Sequence, residues 1–227
     1  MLIGYARVLT ARGVPELTRF AEIPPTSSRT HSIADSSRTA QSVSTAWHTV
    51  QVLIEETVTY LEMTSPDQLR PGRTAPTPVE MVKLDQAAAP VLRRTYTRIA
   101  APLNWQSRRT WSDAQWEQLL ARPNVHAWIA RAGDEVAGVV ELEVQPGGDV
   151  EITVFGLVPE FVGKGFGAHL LAVGTRLAWT VNPLDGHPVR RVWLHTSSRD
   201  HPHAKPNYER RGFRPCRIEQ RQREIVT

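Results

Sequence analysis

Cysteine is nearly absent: the 227 residues contain one, Cys216. A single thiol excludes an internal disulfide and any zinc finger built on cysteine pairs, and it points to a reducing compartment, the cytoplasm. No run of about 18 apolar residues occurs either, so no segment is expected to span a membrane. Internal repeats are also missing, which sets aside solenoids and propellers. The net charge of +4 suits a phosphate-bearing ligand as well as nucleic acid. The arginines are scattered instead of gathered on one stripe, which argues against a nucleic-acid partner. With 41% apolar residues, the chain can bury one good core, and one domain plus a tail is expected.

The tail is residues 1–52. Within it, TSSRTHSIADSSRTAQSVSTAW (26–47) is dense in Ser, Thr and Arg and has too few large apolar residues to offset the entropy of ordering, so disorder is expected. An Arg-rich, Ser-rich, acid-poor beginning is equally what a targeting segment or a start site assigned too far upstream would look like. The domain is expected over residues 53–227.

Residues 57–64 and 78–85 read as strands, from their β-branched and alternating residues, joined by the turn-rich 65–77. Residues 86–100 read as a helix with Pro90 in its first turn. Ser112 with Gln115 three residues on has the spacing of a capping box and starts a second helix. Strands follow at 125–131, 135–144 and 149–158, the last two a hairpin around Pro146, Gly147 and Gly148. A long helix after Gly167, a strand at 189–196, a short helix ending at Gly212 and a last strand near 214–225 complete the order. The order predicts an α/β (α+β) fold: a mixed, mostly antiparallel central sheet with helices on both faces.

The helix after Gly167 is preceded by VGKGFG, residues 162–167. Glycines at the mouth of a helix remove the Cβ atoms that would keep an anion from the backbone N–H groups and the positive end of the helix dipole. A plain strand-to-helix turn would need some of the same glycines. Lys164 is followed by Gly165 and not by Ser or Thr, so the segment is not a nucleotide-hydrolysing P-loop, and its G-x-G-x-G spacing is not the dinucleotide fingerprint.

Residues 156–171, GLVPEFVGKGFGAHLL, resemble the acyl-CoA pyrophosphate loop of the GNAT superfamily of N-acetyltransferases, whose pattern is Q/R-x-x-G-x-G/A. Val162 stands where that pattern has Gln or Arg. Downstream, AKPNYERRGF (204–213) resembles the family segment A-x-x-x-Y-E-x-x-G-F, with His201 in the place of its usual Asn. The resemblance extends by element order over about residues 55–221. It implies acetyl-CoA as co-substrate, bound by Leu157, Val158, Val162, Gly163, Lys164, Gly165, Phe166, Gly167 and Ala168, and direct transfer of the acetyl group to a primary amine of a small molecule or peptide. It leaves a homodimer open.

Such a transfer needs a proton acceptor for the amine, a donor to the carbonyl oxygen and a proton for the departing thiolate. The resemblance assigns the last role to Tyr208, whose phenol stays protonated at neutral pH. The hairpin offers the acceptor. Val140, Leu142 and Val144 share parity with Val150, Ile152 and Val154, so Glu141, Glu143 and Glu151 face the other way. A loop centred on Gly147 would set Glu143 opposite Glu151, where two close carboxylates push one pKa upward. The resemblance points to Glu151, since histone-acetylating members of that superfamily carry a glutamate at the matching point of this strand. The resemblance places the oxyanion donor at the backbone N–H of Leu157 or Val158, with Gly156 marking a bulge. Trp105 and Trp111 lie in the loop where the family closes over its acceptor, and His195 is a candidate relay and acceptor contact. His201 and His203 beside Asp200 lack the further spacing of a metal site. A non-catalytic acyl-CoA sensor is the other class this pattern allows.

Overall fold

The structure is a computed structural model and describes residues 2–3 and 51–226. The extension expected over 1–52 therefore lies almost entirely outside the described residues. The elements are β1 (Leu2–Ile3), β2 (Gln51–Met63), β3 (Val79–Leu84), α1 (Ala89–Ala100), α2 (Asp113–Ala121), β4 (Val125–Ala132), β5 (Glu135–Gln145), β6 (Asp149–Leu157), α3 (Phe166–Thr180), β7 (Arg191–Ser197), α4 (Ala204–Arg210) and β8 (Arg214–Val226). The sheet order is β3-β4-β5-β6-β7-β2-β8, with β1 added on β6. Every pairing is antiparallel except β6 with β7. The mixed, mostly antiparallel sheet is the one predicted. α1 packs against one face, where Ile99 approaches Gly156, and α3 against the other, where Gly174 approaches Val140.

Local signals set the helix starts. Pro90 lies in the first turn of α1, where its missing N–H costs no bond. The Ser112 side chain accepts from Gln115 N–H while Gln115 reaches back to the Ser112 backbone, closing the predicted capping box.

The first two predicted strands are not neighbours. β2 lies between β7 and β8, while β3 forms the opposite edge of the sheet. β2 is also longer than its local pattern suggests, because β8, more than 150 residues later in the chain, pairs with it along its length. Residues 64–78 therefore cross the molecule as a strap. On the way they press against α3: a Cβ on Gly72 would lie 2.3 Å from the Ala168 carbonyl oxygen.

The hairpin of β5 and β6 has the predicted odd loop, with Gln145 paired to Asp149 and Glu143 to Glu151. The parity reading fails further along. The register shifts between Glu141 and Leu142, which face Val154 and Ile152, so Thr153 is the extra residue of a bulge. Beyond it Phe155 pairs with Val140 and shares the α3 face, and Val154 shares the face of Glu141. Gly156 is not the bulge. It is small because α1 crosses there: a Cβ would stand 2.6 Å from Ile99 Cγ2.

Candidate active site

β6 and β7 part in the middle of the sheet. Their parallel ladder runs from Asp149/Arg191 to Glu151/Trp193 and stops, although β6 continues to Leu157 and β7 to Ser197. On its other side β6 stays bonded to β5, and the Val158 N–H donates to the Ala137 carbonyl at 3.0 Å. Backbone groups in an antiparallel ladder alternate in direction. The Leu157 N–H therefore points away from β5, toward the side that β7 has left and where β1 pairs with Val154 and Phe155. Of the two expected oxyanion donors, Val158 is bonded to β5 and Leu157 points its N–H the other way.

The chain then makes a turn over Pro159–Phe161, in which Val162 N–H bonds the Pro159 carbonyl. Gly163 and Gly165 follow with φ of 76° and 88°, the left-handed region that favours glycine. Gly165 is the N-cap of α3, so the N–H groups of Phe166, Gly167 and Ala168 open the helix without helical acceptors. A Cβ on Gly163 would meet nothing within 4 Å, leaving open space over the loop. Phe161 packs edge-on against Phe166 with centroids 5.0 Å apart, and Lys164 Nζ lies 6.0 Å from the Phe161 ring. Asn207 of α4 donates to the Gly167 carbonyl at 3.2 Å and ties the second motif to the first. Free donors, a helix N-terminus and no side chain in the way are what a diphosphate requires.

Glu151 and His195 share one face of the sheet. Glu151 pairs with Trp193, His195 stands two residues further along β7, and His195 Nδ1 is 3.4 Å from Glu151 Oε1. Gln145 donates to the other Glu151 oxygen at 3.1 Å. Both side chains are buried, and His195 is flanked by the rings of Tyr60 and Trp193. Glu143, though opposite Glu151, is engaged by Arg122 and by Asn124 at 3.2 Å. Tyr208 lies under the other face, against Phe155 and Phe213 and 1% exposed. Burial, and then the Asp200 carboxylate, push its pKa well above the usual 10.0, so the phenol keeps its proton. Groups from opposite faces of a sheet are screened from each other by the backbone, except where two strands part.

Asp200 was not foreseen as part of this centre. It accepts from Thr196 Oγ1 and Ser197 N–H at 2.8 Å each and from the Trp105 indole. Burial raises its pKa, against those hydrogen bonds and the neighbouring His195. Its sequence signal is an acidic residue among three histidines after a predicted strand. Among the described residues no group of three metal-ligating side chains occurs.

The model of the acetyltransferase (GNAT) family matches residues 92–213, more than half of the chain. The chain belongs to that family. No curated protein matches it. Among solved structures, it is similar to a Drosophila melanogaster protein at 11% identity, covering 77% of this chain and 52% of that one, with a TM-score of 0.50. It is also similar to a GCN5-related N-acetyltransferase from Kribbella flavida, at 15% identity over 78% of this chain and 59% of that one, with a TM-score of 0.49. An acetyltransferase from Thermus thermophilus is similar at 17% identity over 67% of this chain and all of that one, with a TM-score of 0.47. The chain thus spans between half and three fifths of the length of the first two. Identities this low speak for the fold alone.

In this GNAT domain the segment between α1 and α2 walls a cavity of about 330 Å³, lined by Tyr96, Thr97, Ala100, Ala101, Asn104, Trp105, Gln106, Arg108 and Arg109. Trp105 lines it and, through its bond to Asp200, connects it to the centre. Trp111 does not line it; its ring packs on Trp116 and on the Arg108 guanidinium, 4.9 Å away. Arg108 is itself buried and donates to both oxygens of Glu141 at 2.7 and 2.6 Å, while Thr153, the bulge residue, donates to Glu141 at 2.7 Å. Burial alone would raise the Glu141 pKa, but the Arg108 charge and these bonds bring it below the usual value. No local pattern announced this pair, because its members lie 33 residues apart in the chain.

Proposed function

We propose that this domain is an N-acetyltransferase that moves an acetyl group from acetyl-CoA to a primary amine of a small molecule or peptide, by direct attack with both substrates bound. The observation that carries this reading is the gap between β6 and β7. One N–H of β6 and a Glu–His pair from one face border it, and a protonated tyrosine packs against Phe155 of β6 from the other.

The residues fit the co-substrate: Gly163 to Ala168 would hold its diphosphate. It supplies an acetyl group activated as a thioester. The Leu157 N–H donates to the acetyl oxygen as negative charge builds there. Glu151, with His195 beside it, takes the proton of the attacking amine. Tyr208 keeps a proton ready for the departing sulfur, and its burial keeps that proton in place until a stronger base arrives. Trp105 and the cavity behind it receive the acceptor. Amine-dependent release of free thiol from acetyl-CoA tests this reading.

A further inference from the structure

The strap of residues 64–78 runs beside the end of α4 before it reaches the glycine loop. A Cβ on Gly212 would lie 1.9 Å from the Gln68 carbonyl oxygen, and the Arg70 N–H donates to the Arg211 carbonyl at 2.9 Å. Two residues further on, Gly72 lies on the first turn of α3, and the Pro76 ring is 3.6 Å from the Cβ position of Gly165. The strap therefore fastens Arg70 next to Arg210 and Arg211, within a short chain distance of the phosphate-accepting helix start.

These three guanidinium groups lack ordinary compensation. None has an acidic side chain within ion-pair distance among the described residues, and Arg211 Nε is buried with no hydrogen-bond partner there. Burial, then the like charges of Arg210 and Arg70, lower the Arg211 pKa. An uncompensated cluster of like charge is unfavourable by itself and favours capture of an anion. Guanidinium groups are suited to phosphate, since their fixed forks donate to two oxygens at once.

We propose that Arg70, Arg210 and Arg211 bind the 3′-phosphate of the coenzyme, so that this domain selects acetyl-CoA over its 3′-dephospho form. This rests on the coenzyme reading above. The strap is what makes the site: because β2 is inserted between β7 and β8, the chain must cross the helices to reach β3, and Arg70 is carried to the cluster by that crossing.

The test is titration calorimetry of the full chain with acetyl-CoA and with acetyl-3′-dephospho-CoA. The wild type should bind acetyl-CoA about tenfold or more tightly, since charge-assisted bonds to a phosphate are the strong ones. Added salt should narrow the difference. Arg70→Gln and Arg211→Gln should each weaken acetyl-CoA toward the affinity of the dephospho analogue and leave that analogue's affinity near the wild-type value. Arg70 is exposed on the strap, so its variant decides the matter if Arg211→Gln does not fold. Equal binding of the two ligands by the wild type overturns the 3′-phosphate site while leaving the coenzyme reading intact. A preference that survives in Arg70→Gln overturns the role of the strap. Binding of neither ligand overturns the coenzyme reading itself.

Discussion

His195 Nδ1 lies 3.4 Å from a Glu151 carboxylate oxygen, although the two strands that carry them have just stopped pairing. The contact spans the start of the gap, and both residues are buried there. If Glu151 is the proton acceptor, Glu151→Gln should lower kcat/KM on the order of a hundredfold. The loss should be deepest at low pH, where little free amine exists. Glu143→Gln should keep most of the rate, because Arg122 and Asn124 hold that carboxylate. Rate profiles against pH for both variants decide it. Full activity in Glu151→Gln would move the role to His195 or to a water, and His195→Asn would then separate those two.

Tyr208 is buried where its phenol stays protonated, so its replacement removes a proton source more than a packing group. Tyr208→Phe should reduce turnover by about two to four decades while acetyl-CoA affinity changes little. Steady-state kinetics and a binding titration on the same variant check both halves. Unchanged turnover would place the acid elsewhere.

Gly165 serves the loop through its backbone. Acetyl-CoA should raise the melting temperature of the wild type, and Gly165→Asp should abolish that rise, because a carboxylate would meet the diphosphate. Gly165 has φ of 88°, so any side chain strains the turn. Gly165→Ala separates the two effects: its Cβ meets Pro76 only at ordinary contact, 3.6 Å, so strain lowers the baseline but some ligand-induced rise should persist. An undiminished rise in Gly165→Asp would remove the site from this loop.

The Glu141 to Arg108 pair predicts a pH effect on stability. The folded pKa of Glu141 is below its ordinary 4.5, so the unfolded chain takes up this proton first. The pair's contribution is fully present above about 4.5 and is lost as pH falls through the folded value. Glu141→Gln should cost about 3–5 kcal/mol near neutral pH by leaving a buried guanidinium uncompensated. It should also flatten the acid limb of stability. Urea unfolding at several pH values measures both.

What the sequence disclosed follows from the range of the forces involved. The Ser112 cap, the odd loop around Gly147 and the glycine loop act within a few residues, and each was legible. The insertion of β2 between β7 and β8 depends on pairing with segments far along the chain, and no local pattern encodes it. Parity carried the hairpin only to the bulge at Thr153, since one extra residue reverses every face beyond it. Gly156 looked like a strand irregularity because its actual cause, Ile99 of a crossing helix, is visible only in three dimensions. Arg108 was missed for the same reason: an isolated charged residue in a sequence reads as surface until its burial is known.

The central claim is acetyl transfer at the gap between β6 and β7, and release of free thiol from acetyl-CoA against a panel of amines, peptides and aminoglycosides tests it most directly. The account predicts release that depends on an added amine, with the acetylated amine recovered by mass spectrometry. A protein that binds acetyl-CoA yet releases no thiol with any member of a broad panel would contradict it and would make the domain a sensor of the coenzyme.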